Sequence, residues 1–407
     1  LTHFFMNPTA QTFDGLGIAP NLLARLEQLK FKVPTPIQSK AIPVVLSGKD
    51  MIGIAQTGTG KTLAFGIPLI QKLAALPATA QGLILLPTRE LAEQVSLSLQ
   101  KIVPNLPMVL VIGGASARHQ TVALRRNPKI IIATPGRLID LMQSGIVNLK
   151  NIAVLILDEA DRMLDMGFAP QINKIIVTTP AKKQVLLFSA TMPPEIARLG
   201  TKYMQLPLRV EVAPAGTTSE LVEQEIFVVA QETRPQLLEK ILTEHHGAVL
   251  IFTRTKHGAR KLATAIRGMG HSADEIHSNR SLGQRRNALA GFKSGKYRIL
   301  VATDIAARGI DVVGIELVIN YDLPENPDDY LHRIGRTGRA NHAGKAISLA
   351  TPSQASKINA IERAIRTRLN ITKTPTDLPP RRAMPRPTPS NRTAPPQNRF
   401  RKFRSRR

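Results

Sequence analysis

Two short segments of the chain combine residue types that can hold a triphosphate and hydrolyse it. Ala55-Gln56-Thr57-Gly58-Thr59-Gly60-Lys61-Thr62 follows the apolar run Met51-Ile52-Gly53-Ile54. Asp158-Glu159-Ala160-Asp161 follows the apolar run from Ile152 to Leu157. A glycine-rich turn that opens a helix points its N–H groups at an anion, and the helix dipole adds to the attraction. Gly58 and Gly60 let the backbone curl around a β-phosphate, Lys61 reaches the β/γ oxygens, and Thr62 offers a hydroxyl to Mg²⁺. Ala55 stands where the generic phosphate-loop pattern has its first glycine. Asp158, at the carboxyl end of its strand, is the candidate for a water-mediated Mg²⁺ contact. Glu159, adjacent and differently aimed, is the candidate to polarise the attacking water. These residues predict an ATPase.

The elements that must position these groups are readable in the hydropathy. Short apolar runs at 51–54, 83–86, 108–112, 130–133, 152–157 and 185–188 alternate with helical patterns. A second set lies at 226–229, 249–252, 299–302, 317–319 and 346–349. Such runs, with helices between, indicate parallel strands buried on both faces. Two sets imply two doubly wound α/β domains. The helix after Lys61 meets Pro68 early and is expected to kink there. The expected divisions are a first domain over 1–210, a small polar linker over 211–221 and a second domain over 222–370. An Arg/Pro-rich tail over 371–407 reads as disordered.

The 407 residues carry 55 basic and 29 acidic side chains, a net +26. The segment from Thr374 holds ten Arg/Lys and one Asp, so it contributes +9 and leaves +17 elsewhere. Body and tail both suit a polyanion, of which nucleic acid is the commonest. Aromatics are 4% with no Trp, which argues for a grip on the sugar-phosphate backbone rather than on stacked bases. The absence of cysteine excludes disulfides and thiolate metal sites. No apolar stretch reaches membrane-spanning length, and Leu1 to Asn7 lacks the blocks of a secretory signal, so a cytoplasmic setting is expected.

Further segments follow in chain order: Pro34-Thr35-Pro36-Ile37-Gln38, Pro87-Thr88-Arg89-Glu90-Leu91-Ala92, Gly113-Gly114, Thr134-Pro135-Gly136-Arg137 and Ser189-Ala190-Thr191. They continue with Val301-Ala302-Thr303-Asp304 through Arg308-Gly309-Ile310-Asp311, then His332-Arg333-Ile334-Gly335-Arg336-Thr337-Gly338-Arg339. With the two segments above, they make residues 13 to 350 resemble a DEAD-box RNA helicase of helicase superfamily 2, most similar to the bacterial RhlE-like subgroup. The resemblance implies two RecA-like parallel-sheet domains in tandem, with ATP and Mg²⁺ as cofactors. It implies RNA-stimulated ATP hydrolysis coupled to local unwinding of short RNA duplexes or to RNA–protein remodelling. The implied setting is ribosome assembly or RNA turnover, and the implied state a monomer without membrane association.

The same resemblance distributes roles over residues. Gln38 would read the adenine edge, Phe31 would stack on the base and Phe13 would support that pocket. Thr57, Gly58, Thr59, Gly60, Lys61 and Thr62 would hold the phosphates, and Asp311 would meet the ribose. Thr88, Arg89, Gly113, Gly114, Thr134, Gly136 and Arg137 would contact the RNA backbone, continued by Arg254 and Thr303 on the second domain. Ser189, Thr191 and His332 would link the two halves. Arg336 and Arg339 would act on the transferring γ-phosphoryl only when the cleft closes.

Three positions depart from the family pattern. Lys30 replaces the usual glycine before Phe31, so a changed adenine-pocket turn is expected. Leu282 replaces the usual glutamine three residues before Arg285, which removes a polar group near the RNA exit side, and Ser278 replaces the glycine after His277. A non-enzymatic RNA clamp would have lost Lys61, Glu159 or a finger arginine, and all are present. A DNA-directed helicase would respond equally to DNA. The basic tail is expected to tether RNA without sequence preference.

Overall fold

The computed structural model describes residues 12–56, 58–212, 222–307, 312, 314–338 and 343–380. One seven-stranded sheet contains β1 (Met51–Ile54), β2 (Gln81–Leu85), β3 (Met108–Val111), β4 (Ile130–Ala133), β5 (Ile152–Leu157), β6 (Gln184–Ser189) and β7 (Leu208–Glu211). Its order is β3-β4-β2-β5-β6-β1-β7. The second contains β8 (Val222–Val228), β9 (Val249–Thr253), β10 (Ala273–Ile276), β11 (Ile299–Thr303), β12 (Leu317–Asn320), β13 (Gly344–Ala350) and β14 (Asn370–Thr372). Its order is β10-β11-β9-β12-β13-β8-β14. The pairings in both are parallel.

Helices cover both faces of each sheet, so successive strand residues enter two different cores. Ile84, Val154, Ile156, Leu186 and Phe188 join one cluster of the first domain. Leu83, Leu85, Leu155, Leu157, Val185 and Leu187 join the other. The second sheet repeats this, with Leu250, Leu300 and Val318 on one side and Val249, Val301 and Ile319 on the other. Each fully buried aliphatic side chain stabilises the fold by about 1.5–3 kcal/mol.

Three strands were not expected from the runs: β7, β10 and β14. Each lies at a sheet edge, where Leu208-Arg209-Val210-Glu211 and Ala273-Asp274-Glu275-Ile276 can carry charge. Residues 371–380, expected to belong to the tail, are instead tied to the second domain, and 381–407 lie outside the described residues. β14 pairs with β8, Leu378 packs on the second domain, and Gln236 Nε2 donates to the Pro379 carbonyl at 2.7 Å. This strap covers a strand edge that would otherwise be open. The helix Lys61–Ala75 continues past Pro68 as one element.

At the turn before Phe31, Lys30 takes up the left-handed conformation that a glycine there would adopt without strain. The helix Pro20–Gln28 ends with Phe31 N–H donating to the Leu26 carbonyl and Lys30 N–H to that of Glu27, at 3.0 and 2.8 Å. That pair of bonds is a Schellman closure, which requires a left-handed residue at Lys30. Lys30 supplies it with φ 63°. A Lys30→Gly variant is therefore expected to be more stable by about 0.5–1 kcal/mol, read as a higher denaturation midpoint at unchanged slope.

Candidate nucleotide and RNA site

Because the strands of each sheet run the same way, their carboxyl ends share one rim, where ligands bind in such sheets. In the first sheet the neighbours β5, β6 and β1 lead into Asp158, Ser189 and the phosphate loop. The neighbours β3, β4 and β2 lead into Gly113-Gly114, Thr134 and Thr88-Arg89. Strand order alone separates the residues suited to phosphate hydrolysis from those suited to a nucleic-acid backbone.

The phosphate loop is held from two sides. Gly58 and Gly60 have φ of 88° and 90°, a region in which side chains are strained. A Cβ at Gly60 would also collide with Gln38 Nε2, which donates to the Gly60 carbonyl at 3.0 Å. Gln38 Oε1 accepts from Thr35 N–H at 2.9 Å, completing a capping box. Each end of the carboxamide keeps a second hydrogen-bonding capacity for a base edge. Lys61, 6% exposed, donates from Nζ to the Ala55 carbonyl at 3.0 Å. Thr62 is half-buried, Phe31 is exposed and Phe13 lies in the apolar core.

The acidic tetrad divides its work. Asp158 accepts from Glu159 N–H at 3.0 Å, and burial pushes its carboxyl up to about 6 against the opposing charge of Lys61. Glu159 has φ 52° and ψ 49°, and its carboxylate meets Arg162 at 3.1 Å with both side chains nearly buried. Asp161 accepts from Ala190 N–H, Thr191 N–H and the Thr191 hydroxyl, all at 3.0 Å. Burial works against ionisation of Asp161, but the charges of Lys61, His332 and Arg162 and the Thr191 bond hold it below the usual range. Ser189 is wholly buried and its carbonyl accepts from Ala55 N–H at 3.0 Å, so β6 braces the phosphate loop.

The second domain faces this cluster. A narrow cleft is lined by Arg162 together with Phe252, Asp304, His332, Arg333 and Arg336. Arg336 is 3% exposed, and its Nε donates to the His332 carbonyl at 3.3 Å. Thr57, Asp311 and Arg339 lie outside the described residues.

On the other half of the rim, the Arg89 guanidinium covers Gly113 and Gly114 so closely that a Cβ on either would strike it. Thr88 caps the helix Arg89–Ile102, accepting from Leu91 N–H at 3.3 Å. Arg137 donates to Gln120 at 3.1 Å, and Gly136 opens onto empty space. Thr303 ends β11 opposite Thr253. Arg254 follows β9, is half exposed and pairs with Glu325 at 3.2 Å.

Comparison with known proteins decides the family. The model of DEAD/DEAH box helicases matches residues 35–199, and that of the helicase conserved C-terminal domain matches residues 233–341. The chain belongs to the DEAD-box RNA helicases. It is 41% identical over 368 residues to the DEAD-box ATP-dependent RNA helicase CshA of Geobacillus kaustophilus, covering 90% of this chain and 79% of that one. Identity to CshA of Bacillus subtilis is 40% over 368 residues, with coverages of 90% and 74%. These relatives carry the name CshA, not the RhlE-like one expected from the sequence. This DEAD-box chain is thus an ATP-dependent RNA helicase with two RecA-like domains. S. cerevisiae Dbp5 bound to RNA and ADP BeF3 superposes with TM-score 0.80 at 30% identity, covering 90% of this chain and 96% of that one. A DEAD box protein from Methanococcus jannaschii, 39% identical with coverages of 90% and 100%, reaches only 0.51. The Dbp5 structure with RNA and nucleotide bound therefore shares more of this chain's overall shape than the Methanococcus sequence, which is nearer.

Several residues of the helicase site carried no role in the sequence reading. Arg333 is 2% exposed, donates to Asp304 Oδ2 at 2.7 Å and to the Asp322 carbonyl at 2.6 Å, and lies 5.0 Å over the Phe252 ring. It anchors the helix Pro327–Ile334, and Arg336 follows that helix after Gly335. Asp161 and Arg162 likewise emerged only with the geometry. Their signal was position: fourth residue of the tetrad, next residue, and first arginine of the last motif.

Proposed function

We propose that the chain couples RNA-stimulated ATP hydrolysis to local melting of short RNA duplexes or remodelling of RNA–protein complexes, in ribosome assembly or RNA turnover in the cytoplasm. The observation that carries this reading is Asp161: one carboxylate holds Ala190 and Thr191 and feels both Lys61 and His332. The nucleotide pocket and the second domain thus share a charge cluster that is complete only when the domains meet. Since ATP and RNA favour the same closed state, each raises the affinity for the other.

The residues fit a divalent cation. Asp158 is a buried carboxyl whose surroundings leave its charge under-compensated. Thr62 and Asp158 would hold Mg²⁺ with the phosphates, as this ion prefers few carboxylates and several waters. When bound, it neutralises charge on the β- and γ-phosphates. Lys61 moves its ammonium from the Ala55 carbonyl to the phosphates, Glu159 orients the water, and Arg336 lies opposite.

Turnover with no nucleic acid, with single-stranded RNA and with DNA of the same sequence tests the reading. RNA alone should stimulate; equal stimulation by DNA would overturn it. Asp158 adds a pH signature. Its proton is retained between about pH 4 and 6 while the unfolded chain loses it, so this group's contribution to stability falls as pH rises through that window. Cation binding needs the ionised form, so ATP–Mg²⁺ affinity should drop about fourfold from pH 7.5 to pH 5.5, and Asp158→Asn should abolish that slope. Calorimetry in buffers of different ionisation heat reads the released proton. For the tail, removal of 381–407, which carries ten Arg/Lys and no acid, should flatten the salt dependence of RNA binding.

A further inference from the structure

The helix Leu282–Lys293 belongs to the second domain, and its Ala288 and Phe292 pack in that domain's core. Its first residue does not. Leu282 is 7% exposed and belongs to the first domain's apolar cluster, with Leu86, Leu91 and Ile112. Its own Cβ lies 3.8 Å from where a Cβ on Gly114 would stand. One turn further along, Arg285 donates to Glu90 at 2.8 Å, with side-chain exposures of 10% and 5%. Beyond that, Arg286 pairs with Glu93 at the solvent edge. Glu90 and Glu93 sit on the helix that begins with Arg89, whose guanidinium covers Gly113 and Gly114.

We propose that Leu282 is a positioning residue that converts domain closure into a fixed shape of the Gly113–Gly114 turn, and so makes RNA affinity depend on bound nucleotide. This rests on the assignment of Arg89, Gly113 and Gly114 to the RNA backbone. An apolar side chain over the turn excludes water, and the neighbouring Glu90–Arg285 attraction is stronger in the drier setting. Gly114 has φ 77° and no side chain of its own, so the turn is pliable unless something seals it. A carboxamide at 282 would bring polar atoms into this seam and need partners there. Replacement of the usual glutamine by leucine thus does more than delete a polar group: it adds a dry contact between the domains.

The test measures binding of a short fluorescein-labelled single-stranded RNA to the full chain, with and without ADP–beryllium fluoride. In Leu282→Gln the nucleotide-dependent tightening should shrink by about tenfold. RNA affinity without nucleotide, and ATP affinity without RNA, should match the wild type. Leu282→Met, which keeps an apolar side chain of similar volume, should restore the tightening. Equal tightening in Leu282→Gln and wild type would overturn the assignment. So would a loss of RNA affinity that is the same with and without nucleotide, as misfolding would produce. If the wild type itself shows no tightening, the coupled closure proposed above fails with it.

Discussion

Glu159→Gln should lower RNA-stimulated ATP turnover by about 10²–10⁴-fold while leaving ATP and RNA binding nearly unchanged. The expectation comes from how the side chain is held. Glu159 occupies the left-handed region at the first turn of the helix Ala160–Asp165, and its carbonyl accepts from Met163 N–H at 3.1 Å. A non-glycine residue in that region costs roughly 1–2 kcal/mol, tolerated where the surroundings over-determine it. Here β5 fixes the chain before it, and Arg162 fixes the carboxylate at 3.1 Å. Glutamine keeps the shape and an acceptor for Arg162 but cannot take a proton from water. The variant therefore separates chemistry from binding. Steady-state turnover and equilibrium binding of nucleotide and RNA check it, and unchanged turnover would remove Glu159 from its role.

The backbone of the glycine-rich loop and the place of the acidic tetrad were legible because such a loop leaves the chain little freedom. A loop that curls around phosphates needs left-handed glycines, and Gly58 and Gly60 have them. An acid at the end of a fully apolar run must sit on the rim of a buried strand, as Asp158 does. The β7 and β10 strands were hidden for the opposite reason: at a sheet edge one side is open, and Arg209, Asp274 and Glu275 can be accommodated. Lys30 shows another limit. Residue type alone does not reveal that backbone hydrogen bonds to Leu26 and Glu27 hold a lysine in the left-handed region there. Thr88 combines two readings, since its hydroxyl caps a helix and stands at the end of β2 on the sheet's carboxyl rim. Contacts across the cleft, such as Glu90 with Arg285, join residues nearly two hundred apart, |i−j| = 195, and no local pattern encodes them.

Arg336→Ala should reduce RNA-stimulated turnover by about 10³–10⁵-fold, or roughly 4–7 kcal/mol of transition-state stabilisation, with nucleotide binding in the absence of RNA unaffected. Two features of Arg336 argue for so large an effect. At 3% exposure it is far from a solvated surface arginine, and it lines the cleft with Arg162, the partner of Glu159. It is also borne by the second domain, so its charge reaches the phosphate end only while the two rims face each other. Arg333 keeps it there: buried against Asp304, Asp322 and the Phe252 ring, it fixes the helix Pro327–Ile334, after which Arg336 follows. Lysine at 336 should not restore the rate, because a point charge on a flexible stem lacks the planar fork that spreads over two oxygens. The ratio of turnover with and without RNA is the decisive readout. If Arg336 completes the centre on closure, that ratio should fall towards one in Arg336→Ala. If the variant keeps its RNA stimulation within about tenfold of wild type, hydrolysis does not depend on the second domain supplying this charge.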